Sequence, residues 1–421
     1  MNMSKVLLLV GLGLGVTLYG ETLTLQQSID KTLKNHPDIK SFSLKIKQTN
    51  SSYDAAFSDY LPQVNLQANY NAIQTFVFPV PSTKTFGTED DSGWSAGAYA
   101  KQKIWDFSKT SSQVDAVKID VDISKLSLAD LKALLVYKVK GYYELMAVQA
   151  EAIKVREKDL ETKVAYYDQA KALVKLGLKT NADASRFLSS VYIAKDNLSG
   201  AKAAFYKAKN SLSLYMGEPI SDDVELESER IKRTLNIDSG IEDEILAENY
   251  QLKIFSETIT KNQLLHKSAK SSHYGSIDAV ASYTHVDTLN SYDSKLLGVT
   301  LNIPLYSGGR VSAEAQKAQI GSQIAEEQKA SKELALKEEI ESLFIDIEHY
   351  NQTIAAKNAQ LTSAQETEKV LEGRYKEGLS TYIEVLDSTS LVLNAELGLL
   401  EAYYLRSMAI NRIAYLRGEL S

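Results

Sequence analysis

Two patterns of apolar and polar residues alternate along this chain. From about Ser108 to Leu176, and again from about Arg310 to Glu377, apolar residues recur three and four apart, as at Leu126, Leu131, Leu134, Leu135 and Val139. That is the period of an amphipathic helix, with the Ala, Lys, Glu and Gln content that suits coiled-coil packing. Other segments have a period of two. Val64, Leu66, Ala68, Tyr70 and Ala72 interleave with Asn65, Gln67, Asn69 and Asn71. Trp94, Ala96, Ala98 and Ala100 interleave with Ser95, Gly97, Tyr99 and Lys101. Later, Ile277, Ala279, Ala281 and Tyr283 alternate with Asp278, Ser282 and Thr284, with Val280 as an exception, and Leu297, Val299, Leu301, Ile303 and Leu305 alternate with Gly298, Thr300 and Asn302. Each such run is about ten residues long, enough for one tilted strand to cross a bilayer with one greasy and one polar face. Tyr60, Trp94, Trp105 and Tyr306 stand near the strand ends, where interfacial aromatics belong.

The pattern occurs twice. Gly177-Leu178-Lys179-Thr180 meets Gly378-Leu379-Ser380-Thr381 at an offset of 201, and Ile104-Trp105 meets Leu305-Tyr306 at the same offset. Upstream the offset grows to 214 at Tyr60 and Tyr274, so the first copy carries about 13 extra residues between Tyr70 and Trp94. A repeat at fixed spacing is read before any single motif. The expected organisation is a first repeat over 21–218, a linker over 219–240 and a second repeat over 241–421. The first repeat holds strands at about 62–74 and 93–105 and helices at about 108–176 and 181–216. The second holds strands at about 275–286 and 295–305 and helices at about 310–377 and 381–417.

Composition narrows the partners and the chemistry. Six prolines leave 82–218 and 305–421 free of the main helix breaker. A net charge of −7 argues against nucleic acid. Without cysteine there is no disulfide, no thiolate metal site, no thiol nucleophile and no lipid-modified N-terminal cysteine. Residues 1–20, with Lys5 before the apolar run Val6–Leu18, are expected to form a signal peptide. No later apolar run is long enough for a membrane helix, so entry into a bilayer requires strands. No phosphate loop, nucleophile elbow or His-Glu-x-x-His motif occurs, and the five histidines lack ligand spacing. The expectation is a non-enzyme without cofactor or resident metal. Gly308-Gly309 reads as a strand-to-helix turn.

Taken in order, Leu61-Pro62-Gln63-Val64, Ile104-Trp105-Asp106, Ile303-Pro304-Leu305-Tyr306-Ser307-Gly308-Gly309, and Gly378-Leu379-Ser380-Thr381 followed by Glu384-Val385-Leu386-Asp387 resemble the TolC-like family of outer-membrane efflux and secretion channels. The resemblance spans nearly the whole mature chain. It implies a mixed α/β, internally duplicated membrane protein. Long coiled-coil hairpins would form an α-helical periplasmic barrel, and four transmembrane strands per chain would join a 12-stranded β-barrel in a homotrimer. Open sheet edges alone demand more than one chain, because lipid tolerates none. The implied role is a passive exit duct in the outer membrane of a Gram-negative cell, extending into the periplasm. A periplasmic adaptor and an inner-membrane RND or ABC pump would open it, in tripartite efflux or type I secretion. The competing reading is a soluble periplasmic helical-hairpin adaptor, which would carry one hairpin rather than two copies with four amphipathic strands.

The resemblance also assigns a periplasmic gate. Asp183, Tyr375, Ser380, Glu384 and Asp387 fall at its positions, with adaptor contacts at the tip turns Gly177, Leu178, Thr180, Gly378, Leu379 and Thr381. It implies a link from Tyr375 to Asp183, while Ser380 stands where the family has arginine. Glu384 and Asp387, three apart on one helix face, would make carboxylate rings able to bind cations in a trimer. Thr381-x-x-Glu384 is equally a helix capping box, and Thr180-x-x-Asp183 nearly another.

Overall fold

A computed structural model describes residues 22–80, 82, 85–227 and 240–420. The expected signal peptide and most of the expected linker lie outside the described residues.

The first copy opens with a two-residue strand, β1 (Thr22–Leu23). Helix α1 (Leu25–Asn35) follows, started by a capping box between Thr24 and Gln27. Proline at the first helical position then begins α2 (Pro37–Phe57). Strands β2 (Gln63–Val80) and β3 (Thr85–Trp105) form a hairpin. The helices α3 (Lys109–Lys175) and α4 (Asn181–Met216) form a second hairpin, packed along their length. A short strand, β4 (Glu225–Leu226), runs parallel to β1. The second copy repeats the plan with α5 (Ile241–Glu248), α6 (Tyr250–Ser271), β5 (Ser276–Asp287), β6 (Ser291–Asn302), α7 (Arg310–Lys376) and α8 (Tyr382–Leu416). Helices α3 and α7 each contain 67 residues, which at about 1.5 Å per residue spans roughly 100 Å.

Two core clusters sit in the middle of the helical part. One joins Ile29, Tyr143, Met146, Leu212 and Met216 of the first copy. The other joins Ile245, Leu336, Ile340, Ile347 and Ile410, mostly of the second. Helix α3 bridges the copies by packing on α6 and α8 as well as on α2 and α4. A third cluster lies at the far tip.

The four long strands form one antiparallel sheet in the order β2-β3-β5-β6, so β2 and β6 are its open edges. The register puts Leu66, Ala98, Tyr283 and Lys295 on one row, and Val64, Ala100, Ala281 and Leu297 on the next. The apolar series of all four strands therefore shares one face. On that face Leu66 is 83% exposed and Leu297 88%. No neighbour in the chain covers this face, and water is the wrong solvent for it. The opposite face carries Asn65, Gln67, Ser95, Lys101, Ser282 and Thr300. The apparent exception Val280 belongs here, opposite Lys101. Asp278 is buried at the base of this polar face and pairs with Lys101 at 3.0 Å.

Strand ends differ from those expected. β6 stops at Asn302 because Pro304 lacks a ladder donor and restricts the residue before it; Ile303 and Leu305 lie beyond the sheet. The first hairpin is longer than expected, running to Val80 and back from Thr85. A bulge between Asn71 and Gln74 inserts one residue into β2, which shifts the alternation by one and ends its legible period. Among the described residues no helix is long and apolar enough to cross a membrane.

Candidate gate at the helical tip

Both helical hairpins turn in the same way. Gly177 has φ +74° and Gly378 φ +78°. The amides of Gly177 and Leu178 donate to the carbonyls of Val174 and Leu173. Those of Gly378 and Leu379 donate to Tyr375 and Arg374. This six-to-one, five-to-two pair of bonds is the Schellman closure, which needs a left-handed residue that glycine supplies without strain. Leu178 and Leu379 project exposed from the two turns, 67% and 64% accessible.

Thr180 and Thr381 then start α4 and α8. The Asp183 amide donates to Thr180 Oγ1 at 3.3 Å while the Thr180 amide donates to the Asp183 carboxylate at 3.0 Å. The Glu384 amide donates to Thr381 Oγ1 at 3.3 Å, and the Thr381 amide donates to the Glu384 carboxylate at 2.6 Å. Both are complete capping boxes. The backbone and side-chain donors of Thr381 hold the Glu384 carboxyl below its ordinary range, helped by the Arg374 charge. Asp387 is exposed one turn further along.

The gate residues separate into two groups. Asp183 and Glu384 occupy equivalent positions and are held by their own N-caps. Tyr375 lies fully buried in the tip cluster, and its Oη has no hydrogen-bond partner. The implied Tyr375–Asp183 link is therefore not made in this conformation: the Asp183 carboxylate bonds Thr180 instead. Burial, with the Asp183 charge second, pushes the Tyr375 hydroxyl up. Ser380 is buried, and its hydroxyl donates to the Leu371 carbonyl at 3.1 Å, tying the turn back onto α7.

The structure adds residues that the sequence did not single out. Phe187 is fully buried and meets Tyr375 edge-on at 5.7 Å and Tyr382 at 6.2 Å. Tyr166 closes the cluster at 5.9 Å from Phe187. Lys179 Nζ lies 5.3 Å from the Tyr375 ring centre, and the Arg186 guanidinium 5.2 Å from that of Tyr382. No local spacing announces the contacts with Tyr375 and Tyr382, whose members lie about 190 residues apart. Among the described residues of one chain, no cluster of three or more His, Asp or Glu could hold a metal ion.

A duplicated chain with a four-stranded amphipathic sheet, two open edges and two very long helical hairpins defines a subunit of an outer-membrane channel. The chain belongs to the outer membrane efflux protein family, whose model matches residues 28–218 and 243–419. It is 23% identical to the outer membrane protein TolC of Vibrio cholerae, over 94% of this chain and 91% of that protein. It is 24% identical to the outer membrane efflux protein BepC of Brucella suis, over 92% and 85%. A solved structure of CusC superposes with a TM-score of 0.83 at 16% identity, covering 93% of this chain and 91% of that one. The chain is an outer-membrane efflux channel protein whose helical part extends into the periplasm.

Proposed function

We propose that three copies form a passive exit duct, closed at rest at the helical tip, in a tripartite efflux or type I secretion assembly. The observation that carries this reading is the sheet. Its apolar face is bare and both its edges, β2 and β6, are unpaired. Four strands are too few for a closed barrel, since the smallest single-chain barrels have about eight. Edge-to-edge joining of β6 to the β2 of another copy removes every edge and turns the polar face inward. The resemblance supplies the number three, hence twelve strands.

In that arrangement the helical hairpins continue the duct through the periplasm. The exposed turns around Gly177, Leu178 and Thr180, and around Gly378, Leu379 and Thr381, are where a periplasmic adaptor would dock, coupled to an inner-membrane RND or ABC pump. Glu384 and Asp387 would ring the opening in three copies. The capping role of Glu384 does not compete with this, because a carboxylate holding an N-cap keeps its charge. No residue here needs a cofactor or performs a reaction.

The test is the mass of the purified protein in mild detergent. A trimer with helix-dominated circular dichroism and outer-membrane fractionation is expected. A monodisperse monomer that still inserts and conducts overturns the reading.

A further inference from the structure

The two tip turns share a backbone frame but carry different side chains, and the differences match each other. At the offset of 201, Lys179 corresponds to Ser380, Arg186 to Asp387 and Phe187 to Ser388. In the other direction Tyr375 corresponds to Val174, and Tyr382 to Asn181. The first copy thus supplies two cations and a central ring, and the second supplies two tyrosines. Each cation reaches across to a tyrosine of the other hairpin: Lys179 to Tyr375 at 5.3 Å, Arg186 to Tyr382 at 5.2 Å. Phe187 stands between the two tyrosines. Lys179 Nζ also points at the Ser380 carbonyl, 3.5 Å away on the facing turn. The acid expected to bond Tyr375 is occupied by its own cap, and the tyrosine hydroxyl is left without a partner. What joins the hairpins at this level is therefore aromatic packing covered by two positive charges.

We infer that Lys179 and Arg186 form, with Tyr375, Tyr382 and Phe187, a cation–aromatic clamp that holds the two hairpins of each chain together and keeps the tip closed. This rests on the reading of the tip as the gate. The physics favours such a clamp over an ion pair at a moving joint. A cation over a ring face keeps most of its hydration while the ring stays buried, so the contact can part without stranding a charge in an apolar core. Both cations are on α4 or its turn and both rings flank the facing turn, so parting α4 from α7 and α8 breaks both contacts at once.

The experiment is planar-bilayer conductance of the full-length assembled protein. Lys179→Met with Arg186→Met keeps an unbranched apolar stem at each position and removes both charged heads. It is expected to raise resting conductance about tenfold, the scale set by losing two partly exposed cation–aromatic contacts. Lys179→Arg should keep the conductance low. In a Tyr375→Leu/Tyr382→Leu background, removing the cations should change nothing further, because their partners are gone. Tyr375→Asp, which places a charge inside the closed cluster, opens the tip on any gate reading. If Tyr375→Asp raises conductance and the double Met variant does not, the clamp is overturned while the gate stands. If neither does, the gate reading falls and the clamp with it. Equal effects of cation removal with and without the tyrosines would also overturn the clamp. Should the double Met variant fail to assemble, each single Met variant distinguishes the same outcomes.

Discussion

The two strand-to-helix turns stand at equivalent places in the two copies and are built differently. In the first, Asp106-Phe107-Ser108 leads into α3; in the second, Ser307-Gly308-Gly309 leads into α7. The backbone path is the same. Phe107 and Ser108 have φ +55° and +70°, Gly308 and Gly309 +61° and +81°. Phe107 and Ser108 are the only non-glycine residues among those described with positive φ, a conformation that costs an L-residue about 1–2 kcal/mol. Side chains hold the first turn there. The Phe107 ring packs on Trp105 and on Tyr274 at 6.1 and 5.3 Å. Ser271 donates to the Phe107 carbonyl, and the Asp106 carboxylate accepts from the Thr110 amide, both at 2.8 Å.

The second turn has none of these supports. Leu305 and Tyr306 before it are 94% and 90% exposed. The cause is position. β3 is an inner strand, with β5 and α6 of its own chain beside it, so its turn can be fixed by packing. β6 is an edge, so nothing in the chain packs on Gly308 or Gly309, and the turn relies on residues for which the conformation is free. The same fold position is specified by contacts where the chain provides them and by backbone permissiveness where it does not.

The largest expected effect breaks the permissive turn. Gly308→Val with Gly309→Val forces two β-branched residues to positive φ, with no packing to compensate. A loss of about 2–4 kcal/mol is expected, read as a lower melting temperature and a lower trimer yield. The same valines at Phe107 and Ser108 would confound strain with lost packing, so the informative partner there is Ser108→Gly. It removes strain but adds unfolded-state entropy, and should change stability by less than about 1 kcal/mol. Equal sensitivity of the two turns would refute the distinction.

Next in size is the contact-built turn. Asp106→Ala removes the acceptor for the Thr110 amide and leaves Lys103, 3.7 Å away, without its acid. A cost of about 1–2 kcal/mol follows from losing a cap in a buried setting. Ser307→Ala, the same change at the equivalent place, should be nearly silent. Denaturant melts of both variants check this; a costly Ser307→Ala would mean that the second turn also rests on side chains.

Legibility follows the same division. The duplication, the long helices and the four amphipathic strands were readable because each is a local period repeated at one offset. The glycine turns were readable because only glycine sits at positive φ without support. The tight turn at Phe107-Ser108 was not, since neither residue advertises it and two of its supports, Ser271 and Tyr274, lie far along the chain. The distal half of the first hairpin was missed because one inserted residue at the bulge reversed the alternation. At the tip, the spacing of Thr180 to Asp183 and of Thr381 to Glu384 disclosed both capping boxes. The partners of Tyr375 were hidden, because Lys179 and Phe187 reach it only through the docking of one hairpin on the other.

A smaller effect compares the two caps by acid titration. The Glu384 carboxyl is held below its ordinary value, first by the Thr381 amide and hydroxyl. A depressed carboxyl adds stability above its unfolded value of about 4.5 and loses it as pH falls through the folded value. Wild type should therefore melt above Glu384→Gln at pH 7, and the gap should close as pH falls through the lowered folded value. Glutamine retains the capping geometry, so the gap at neutral pH is small. A gap that persists undiminished in acid would show that the charge of Glu384 does not support the helix start.

The smallest expected effect concerns the part of the first copy that the second lacks. The β3–β5 ladder ends at Trp94↔Asp287, and the β5–β6 ladder at Asp287↔Ser291. Beyond that level β2 and β3 pair only with each other, from Gln74↔Asp91 to Val80↔Thr85. An isolated two-stranded hairpin is marginal in water, so this extension is carried by the sheet below and returns little stability to it. Asn71 and Gly93 face each other at its base. Replacing 72–92 by Asn-Gly closes the strands there with a two-residue turn whose twist suits a hairpin, and makes the first hairpin resemble the second. Stability should stay within about 0.5 kcal/mol of wild type, with the trimer intact. The extension carries Phe76 and Phe78 on the same side as Asn65 and Gln67, because the bulge brings even-numbered residues of β2 to the polar face. If three such hairpins crowd the exit, the shortened protein conducts more while melting no earlier. A marked fall in melting temperature would instead show that neighbouring copies pair with the extension, and that the first hairpin, like the first turn, is fixed by contacts.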